Sequence, residues 1–305
     1  MKVYRSFEEY KKPEFPVITI GTFDGVHVGH QKIIKRLNSL AEEHNGESVL
    51  LTFWPHPRLV LQPDDNKLRL INTLNEKLEL LDHYGLDNIV VVPFTKEFSR
   101  LSPVEYIRDV LVNTLGVKTL VIGYDHRFGK NRSGSFDDLK EAAPTYDFQL
   151  QKIDAQEIED VTVSSTKIRV AVSEGDMEQA RKYLGHSFSI SGDVVKGDQI
   201  GRTLGFPTAN IKVPEAYKLL PADGVYAVRV KLGDRVLNGM LNIGNRPTIS
   251  KNGEKRIEVN VFDFNEDIYG SSLRIEFVDW LREDIQYNSL DELVDQSSEV
   301  PMLLL

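Results

Sequence analysis

Apolar and polar positions alternate along this chain with two different rhythms. From residue 17 to about residue 153, short β-branched runs are separated by stretches with apolar residues at helical spacing. The runs VITI (17–20), SVLLTF (48–53), NIVVVPF (88–94), TLVIG (119–123) and FQLQKI (148–153) predict strands. Between them, Ile33, Ile34, Leu37, Leu40 and Ala41 share one helical face, and Leu74, Leu78, Leu81 and Tyr84 share another. The second helix should open at Thr73, with Glu76 three residues on, in a capping box. Ser102, Pro103 and Glu105 announce a further helix with proline at its first position. Strands joined through helices need right-handed crossovers, so this half is predicted to be a doubly wound parallel sheet.

The rhythm then changes. Residues 165–185 read as helical. Tyr226–Leu232 alternates with period two, turns at Gly233–Asp234 and returns through VLNGMLNIG (236–244). RIEVNVFDF (256–264) and SLRIEFVDW (272–280) follow in the same rhythm. Such strands and hairpin turns predict a small antiparallel β-barrel. The expected boundary lies near residue 185, giving domains 1–185 and 186–305.

A chain of 305 residues with 41% hydrophobic content suits two cores. Its net charge of −9 argues against nucleic-acid and anionic-membrane partners, both of which need a basic surface. Cysteine is absent, which excludes disulfides, thiolate metal sites and cysteine nucleophiles. The N-terminus shows no apolar signal region, and no apolar run approaches the roughly 20 residues needed to span a bilayer. The expectation is a soluble cytoplasmic protein.

The unusual residues gather after strands, where ligands bind in open parallel sheets. GTFDGVHVGH (21–30) places His27 and His30 among glycines, between a strand and an amphipathic helix. Two histidines without a nearby third ligand make a weak metal site. Gly21, Gly25 and Gly29 would let the backbone approach an anion, and the helix start would present free amides and a positive dipole end. Two imidazole donors there could serve a phosphate under attack. Ser164, Ser165 and Thr166, with Lys167 and Arg169 close by, sketch a triphosphate cradle or an ordinary helix cap. Asp125 sits in a glycine-rich loop with Arg127, Lys130 and Arg132. Trp54 and His56 suit either a flat ligand wall or packing at a strand end.

In GDVVKGDQIGRTLGFPTANI (192–211), the glycine spacing does not fit the P-loop. A glycine flap over a nucleotide fits better. Thr208 and Asn210 offer neutral oxygens suited to Mg²⁺. Composition alone favours a turn there. Glu258 alternates with Ile257 and Val259, which suits a general base or a solvent-facing residue equally.

HVGH (27–30) resembles the H-x-G-H signature of the nucleotidyltransferase superfamily. The fuller stretch GTFDGVHVGHQKII, with TFWPHP (52–57), GYDHRFGKNRSG (123–134) and SSTKIR (164–169), is similar to the prokaryotic bifunctional riboflavin kinase/FAD synthetases. GRTLGFPTAN (201–210), DGVYAV (223–228), GMLNIGNRPT (239–248) and IEVNVFDF (257–264) continue the resemblance in order. It implies a Rossmann-like nucleotidyltransferase domain followed by a riboflavin kinase barrel. The implied substrates are riboflavin, FMN and ATP, with Mg²⁺, and the implied product is FAD. His27 and His30 would then act at the attacked phosphate, with Gly21, Phe23, Asp24, Gly29 and Asp125 around the nucleotide or flavin. Ser164, Ser165, Thr166 and Arg169 would hold the triphosphate. Gly197, Gly201 and Arg202 would belong to the kinase flap, Thr208 and Asn210 to Mg²⁺ and phosphate, and Glu258 would be the base. Many members carry Phe where this chain has His126. The ending SSEVPMLLL also departs from the family; it leaves open packing on the barrel, a weak homo-oligomer or an altered terminus. Two other functions stay open: a nucleotidyltransferase for another phosphate ester with a regulatory barrel, and a non-catalytic flavin-binding protein.

Overall fold

The computed structural model describes residues 1–62, 68–123, 126–153, 163–196, 208–245 and 255–283. By packing, the chain divides into two compact units, Met1–Ser165 and Thr166–Leu305.

The first unit holds β1 (Lys2–Tyr4), β2 (Pro16–Ile20), β3 (Glu47–Phe53), β4 (Asn88–Val92), β5 (Thr119–Gly123) and β6 (Gln149–Ile153) in one sheet. Its order is β1-β4-β3-β2-β5-β6, and every pairing is parallel. Alternate residues of each strand feed two cores. Val17, Leu50 and Ile89 pack with Ile34, Leu37 and Leu81, from α1 (Val28–Glu43) and α3 (Leu74–His83), while the short α2 spans Pro57–Leu61. Ile18, Leu51 and Val90 face the other way, toward Ile107, Leu111 and Leu139. The helix α4 (Pro103–Glu105) continues as a π-helix over Tyr106–Thr114, and α5 spans Phe136–Tyr146. Helices therefore cover both faces, as a doubly wound sheet requires. The strand order reverses between β2 and β5, so the loop after β2 leaves the sheet at a topological switch point.

Both expected capping boxes form, at Thr73–Glu76 and Ser102–Glu105. β4 stops at Val92, because Pro93 has no N–H to continue the ladder. The three-residue edge strand β1 was not read from the sequence.

In the second unit, β7 (Ser189–Val195), β8 (Thr208–Lys212), β9 (Gly224–Leu232), β10 (Arg235–Asn245), β11 (Lys255–Val261) and β12 (Ser272–Arg282) close into a barrel, in the order β10-β11-β8-β7-β12-β9. Two residues, Gly233 and Asp234, join β9 to β10. The stretch 165–185 is not one helix but two, Ser165–Ser173 and Met177–Leu184. Gly175 breaks it at φ +80°, and Asp176 caps the second piece by accepting from the Gln179 amide. The stretch TAN, whose composition favours a turn, is strand β8. Its pairing with both β7 and β11 overrides that local preference.

Candidate functional site

The loop after β2 is bent hard. Phe23, Gly25 and Val26 have φ of +48°, +89° and +39°, a left-handed run that costs most at the β-branched valine. Strain of this kind persists only where surrounding bonds over-determine it. Asp24, buried, accepts from the amides of Ile71 (3.0 Å) and Asn72 (3.3 Å). Lys77 Nζ donates to the Thr22 carbonyl (3.1 Å), and Ser165 Oγ donates to the Asp24 carbonyl (2.9 Å). Gly21 lies against the ring of Phe23, where an added Cβ would come within 2.8 Å of it.

His27 caps α1. Its Nδ1 accepts the His30 amide at 3.3 Å, so in the neutral ring the proton sits on Nε2. Among the described residues nothing accepts from the first two amides of α1, at Val28 and Gly29, which remain open donors at the positive end of the helix. The rings of Phe23, His30 and His27 stack in series, with centres 4.5 and 3.6 Å apart. Burial pushes the His27 imidazole down to about 4, against a smaller opposing pull from Asp24. Burial also drives His30 well below the usual imidazole range, helped by His27 and Lys77. Both rings are therefore neutral at pH 7 and act as hydrogen-bonding groups, not as cations. Among the described residues, His30 Nδ1 is buried without a hydrogen-bond partner, so it remains able to bond a ligand.

Other expected residues are placed as follows. Ser165 opens its helix half-buried, while Ser164 and Thr166 are exposed and Arg169 is half-buried one turn on. Asp125, Gly197, Gly201 and Arg202 lie outside the described residues. His126 stacks on Phe128, which packs on Tyr106; Arg127, Lys130 and Arg132 are exposed. His56 caps α2 through Nδ1, and Trp54 packs at the edge of a core cluster with Lys77 Nζ 5.9 Å from its ring centre.

In the barrel, register brings the expected residues together. Asn210 on β8 pairs directly with Glu258 on β11, and Thr208 with Asn260, so all four project from one face. Ile257 and Val259 point the other way, into the core. Glu258 is bound rather than free: Arg256 donates to its Oε1 at 2.6 Å. The same guanidinium reaches Asn210 Oδ1 at 3.4 Å. Arg256 thus balances the charge of Glu258, and Thr208 and Asn210 beside it carry neutral oxygens of the kind Mg²⁺ takes.

Residues 9–167 match the FAD synthetase family model, and residues 184–299 match the riboflavin kinase model. A bifunctional riboflavin kinase/FMN adenylyltransferase of Escherichia coli (strain K12) is 39% identical over 281 residues, covering 92% of this chain and 88% of its own. Proteins of the same name from Listeria monocytogenes and Bacillus subtilis are each 38% identical, with the same coverage. The chain belongs to the bifunctional riboflavin kinase/FMN adenylyltransferase family. A crystal structure from Streptococcus pneumoniae, called a macrolide-efflux protein, shares the fold at TM-score 0.89 and 31% identity, covering 99% of this chain and 97% of its own. No helix among the described residues is long and apolar enough to cross a membrane.

The histidine loop lies inside the FAD synthetase match, and the Asn210–Glu258 cluster lies inside the riboflavin kinase match. Sequence reasoning passed over two charged residues beside these clusters. Arg256 carried no motif signal. Lys77 did: it stands three residues after Leu74 and four before Leu81, on the stripe α3 turns toward the core.

Proposed function

We propose that the barrel phosphorylates riboflavin to FMN and that the histidine loop of the first unit adenylylates FMN to FAD, with the division of labour falling near residue 185. The family supports this order of reactions. The observation that carries the site assignment is the pair of neutral, stacked imidazoles at the open helix start of the switch point.

In the first reaction the ribityl hydroxyl attacks the γ-phosphorus of ATP and ADP leaves. Glu258 takes the hydroxyl proton as the bond forms. Arg256 holds Oε1 of that carboxylate, so the other oxygen, Oε2, is the one placed to accept the proton. Thr208 and Asn210 would hold Mg²⁺, and the metal would neutralise charge on the ATP phosphates. In the second reaction an FMN phosphate oxygen attacks the α-phosphorus of a second ATP and pyrophosphate leaves. His27 Nε2–H, His30 and the amides of Val28 and Gly29 receive the negative charge that builds on the phosphoryl oxygens. Ser165, Thr166 and Arg169 would hold the triphosphate, with Asp125 near the flavin or nucleotide phosphate. Both reactions are positioning and charge stabilisation, and neither needs a covalent intermediate. ATP as co-substrate fits action in the cytoplasm.

The test is to incubate the protein with riboflavin, ATP and MgCl₂ and to separate the flavins over time. FMN rising first and FAD second is the expected course. Unchanged riboflavin would contradict the kinase assignment, and FMN with no FAD would contradict that of the histidine loop.

A further inference from the structure

Lys77 lies beneath the histidine loop and takes no part in the chemistry above. Its side chain is buried, 5% exposed, on the face of α3 where an apolar residue would ordinarily pack. Its Nζ makes two hydrogen bonds, to the Thr22 carbonyl at 3.1 Å and to Thr52 Oγ1 at 3.4 Å. Among the described residues no carboxylate comes within ion-pair distance of it, and Asp24 acts on it only through space. A buried ammonium without a paired anion is costly, and methionine would fill the same stripe without that cost. Something must need the charge and its donors.

The two partners show what. Thr22 belongs to the loop whose next residues adopt left-handed φ, and Thr52 ends the neighbouring strand β3. The ammonium ties the first to the second. Asp24 pins the same loop from the other side through Ile71 and Asn72. The titratable groups that act on the ammonium or feel it are Asp24 from the loop and His30 from the first turn of α1. Glu76, the preceding residue on α3, accepts from the Thr73 amide. A fixed cation at this place also opposes protonation of His30.

We propose that Lys77 is a positioning residue for adenylyl transfer, strapping the Thr22 carbonyl to Thr52 so that His27 and His30 keep their stacked register at the nucleotide phosphate. This rests on the assignment of the histidine loop to adenylyl transfer. It acts through the loop, so its loss lowers turnover more than substrate affinity.

The experiment uses the full-length K77M variant, supplied with FMN, ATP and MgCl₂, with riboflavin phosphorylation by the same preparation as the control for folding. The expected result is a fall in kcat for FAD formation of about tenfold or more, with KM for ATP and FMN within about threefold of wild type. FMN formation is unchanged. The acid limb of the FAD rate moves to higher pH, because removing the cation makes His30 easier to protonate. A K77M protein that makes FAD like wild type overturns the proposal. If K77M does not fold, the full-length Thr52→Val variant, which removes one of the two anchors of the ammonium, decides: a lowered kcat for FAD formation with FMN formation unchanged supports the strap, and FAD formation at the wild-type rate overturns it. Wild type that makes no FAD at all defeats the assignment of the loop, and the strap with it.

Discussion

The Nδ1 of His27 accepts the backbone amide of His30 at 3.3 Å, and the two rings lie 14° from parallel. The pair is therefore not symmetrical. One nitrogen of His27 is used to start the helix that carries His30, leaving only its Nε2–H for a ligand. Structure and chemistry are joined in one side chain.

That dual role can be separated. His27→Asn keeps a good cap but loses the imidazole, whereas His27→Ala loses both. Stability should drop by about 1 kcal/mol in the alanine variant and hardly at all in the asparagine one. FAD formation should fall by roughly 10²–10³-fold in each, the usual effect of removing one donor to a phosphoryl oxygen. Thermal unfolding and FAD assays on the same preparations check both statements.

Burial of the imidazoles makes the first unit sensitive to acid. Folded His27 titrates at about 4, while an unfolded histidine titrates near 6.5. Between those values the unfolded chain binds a proton that the folded chain refuses, so stability falls as pH drops through the window. The loss for His27 approaches about 3 kcal/mol at the bottom of it, and His30 adds to it with the same sign. Urea unfolding at pH 4.5, 5.5 and 7, followed by Trp54 fluorescence in a Trp280→Phe background, measures the slope. His27→Asn should flatten it; an unchanged slope would contradict the assignment.

Gly21 is small because a ring needs its space. The ring of Phe23 is buried and stacked on His30, so it cannot swing clear of a new Cβ. Gly21→Ala should destabilise the first unit by about 1–3 kcal/mol through overpacking. It should also slow FAD formation by disturbing the stack, with riboflavin phosphorylation unaffected.

Glu258→Gln preserves shape beside Arg256 and Asn210 but cannot accept a proton. FMN formation should fall by about 10²–10⁴-fold, and FAD formation from supplied FMN should be unchanged. Assaying the two half-reactions separately decides it. Equal activity of mutant and wild type on riboflavin would return Glu258 to a purely structural role with Arg256.

Much of the fold could be read in advance because its signals are local. The four inner parallel strands, β2 to β5, carry near-continuous apolar runs, since both faces of the sheet are buried there. The capping boxes at Thr73 and Ser102 name their own partners three residues on. What escaped the reading depends on distant residues. β8 exists because β7 and β11 flank it, although its own composition suggests a turn. The break at Gly175 divides a pattern that stays apolar at helical spacing on both sides. In the histidine site the residue types and their place after a strand were legible. The tautomer of His27 and the Phe23–His30–His27 stack were not, because each is set by contacts in three dimensions that spacing does not encode, whereas Lys77 beneath Thr22 stood out as a charge on the apolar stripe of α3 and was passed over.

The proposed function requires two independent phosphate-handling sites on one chain. The most direct test is a flavin time course for His30→Ala with riboflavin, ATP and MgCl₂. FMN accumulating at the wild-type rate, with FAD absent, is the result expected. Equal loss of FMN and FAD in a folded His30→Ala protein, or FAD formed as in wild type, would contradict it.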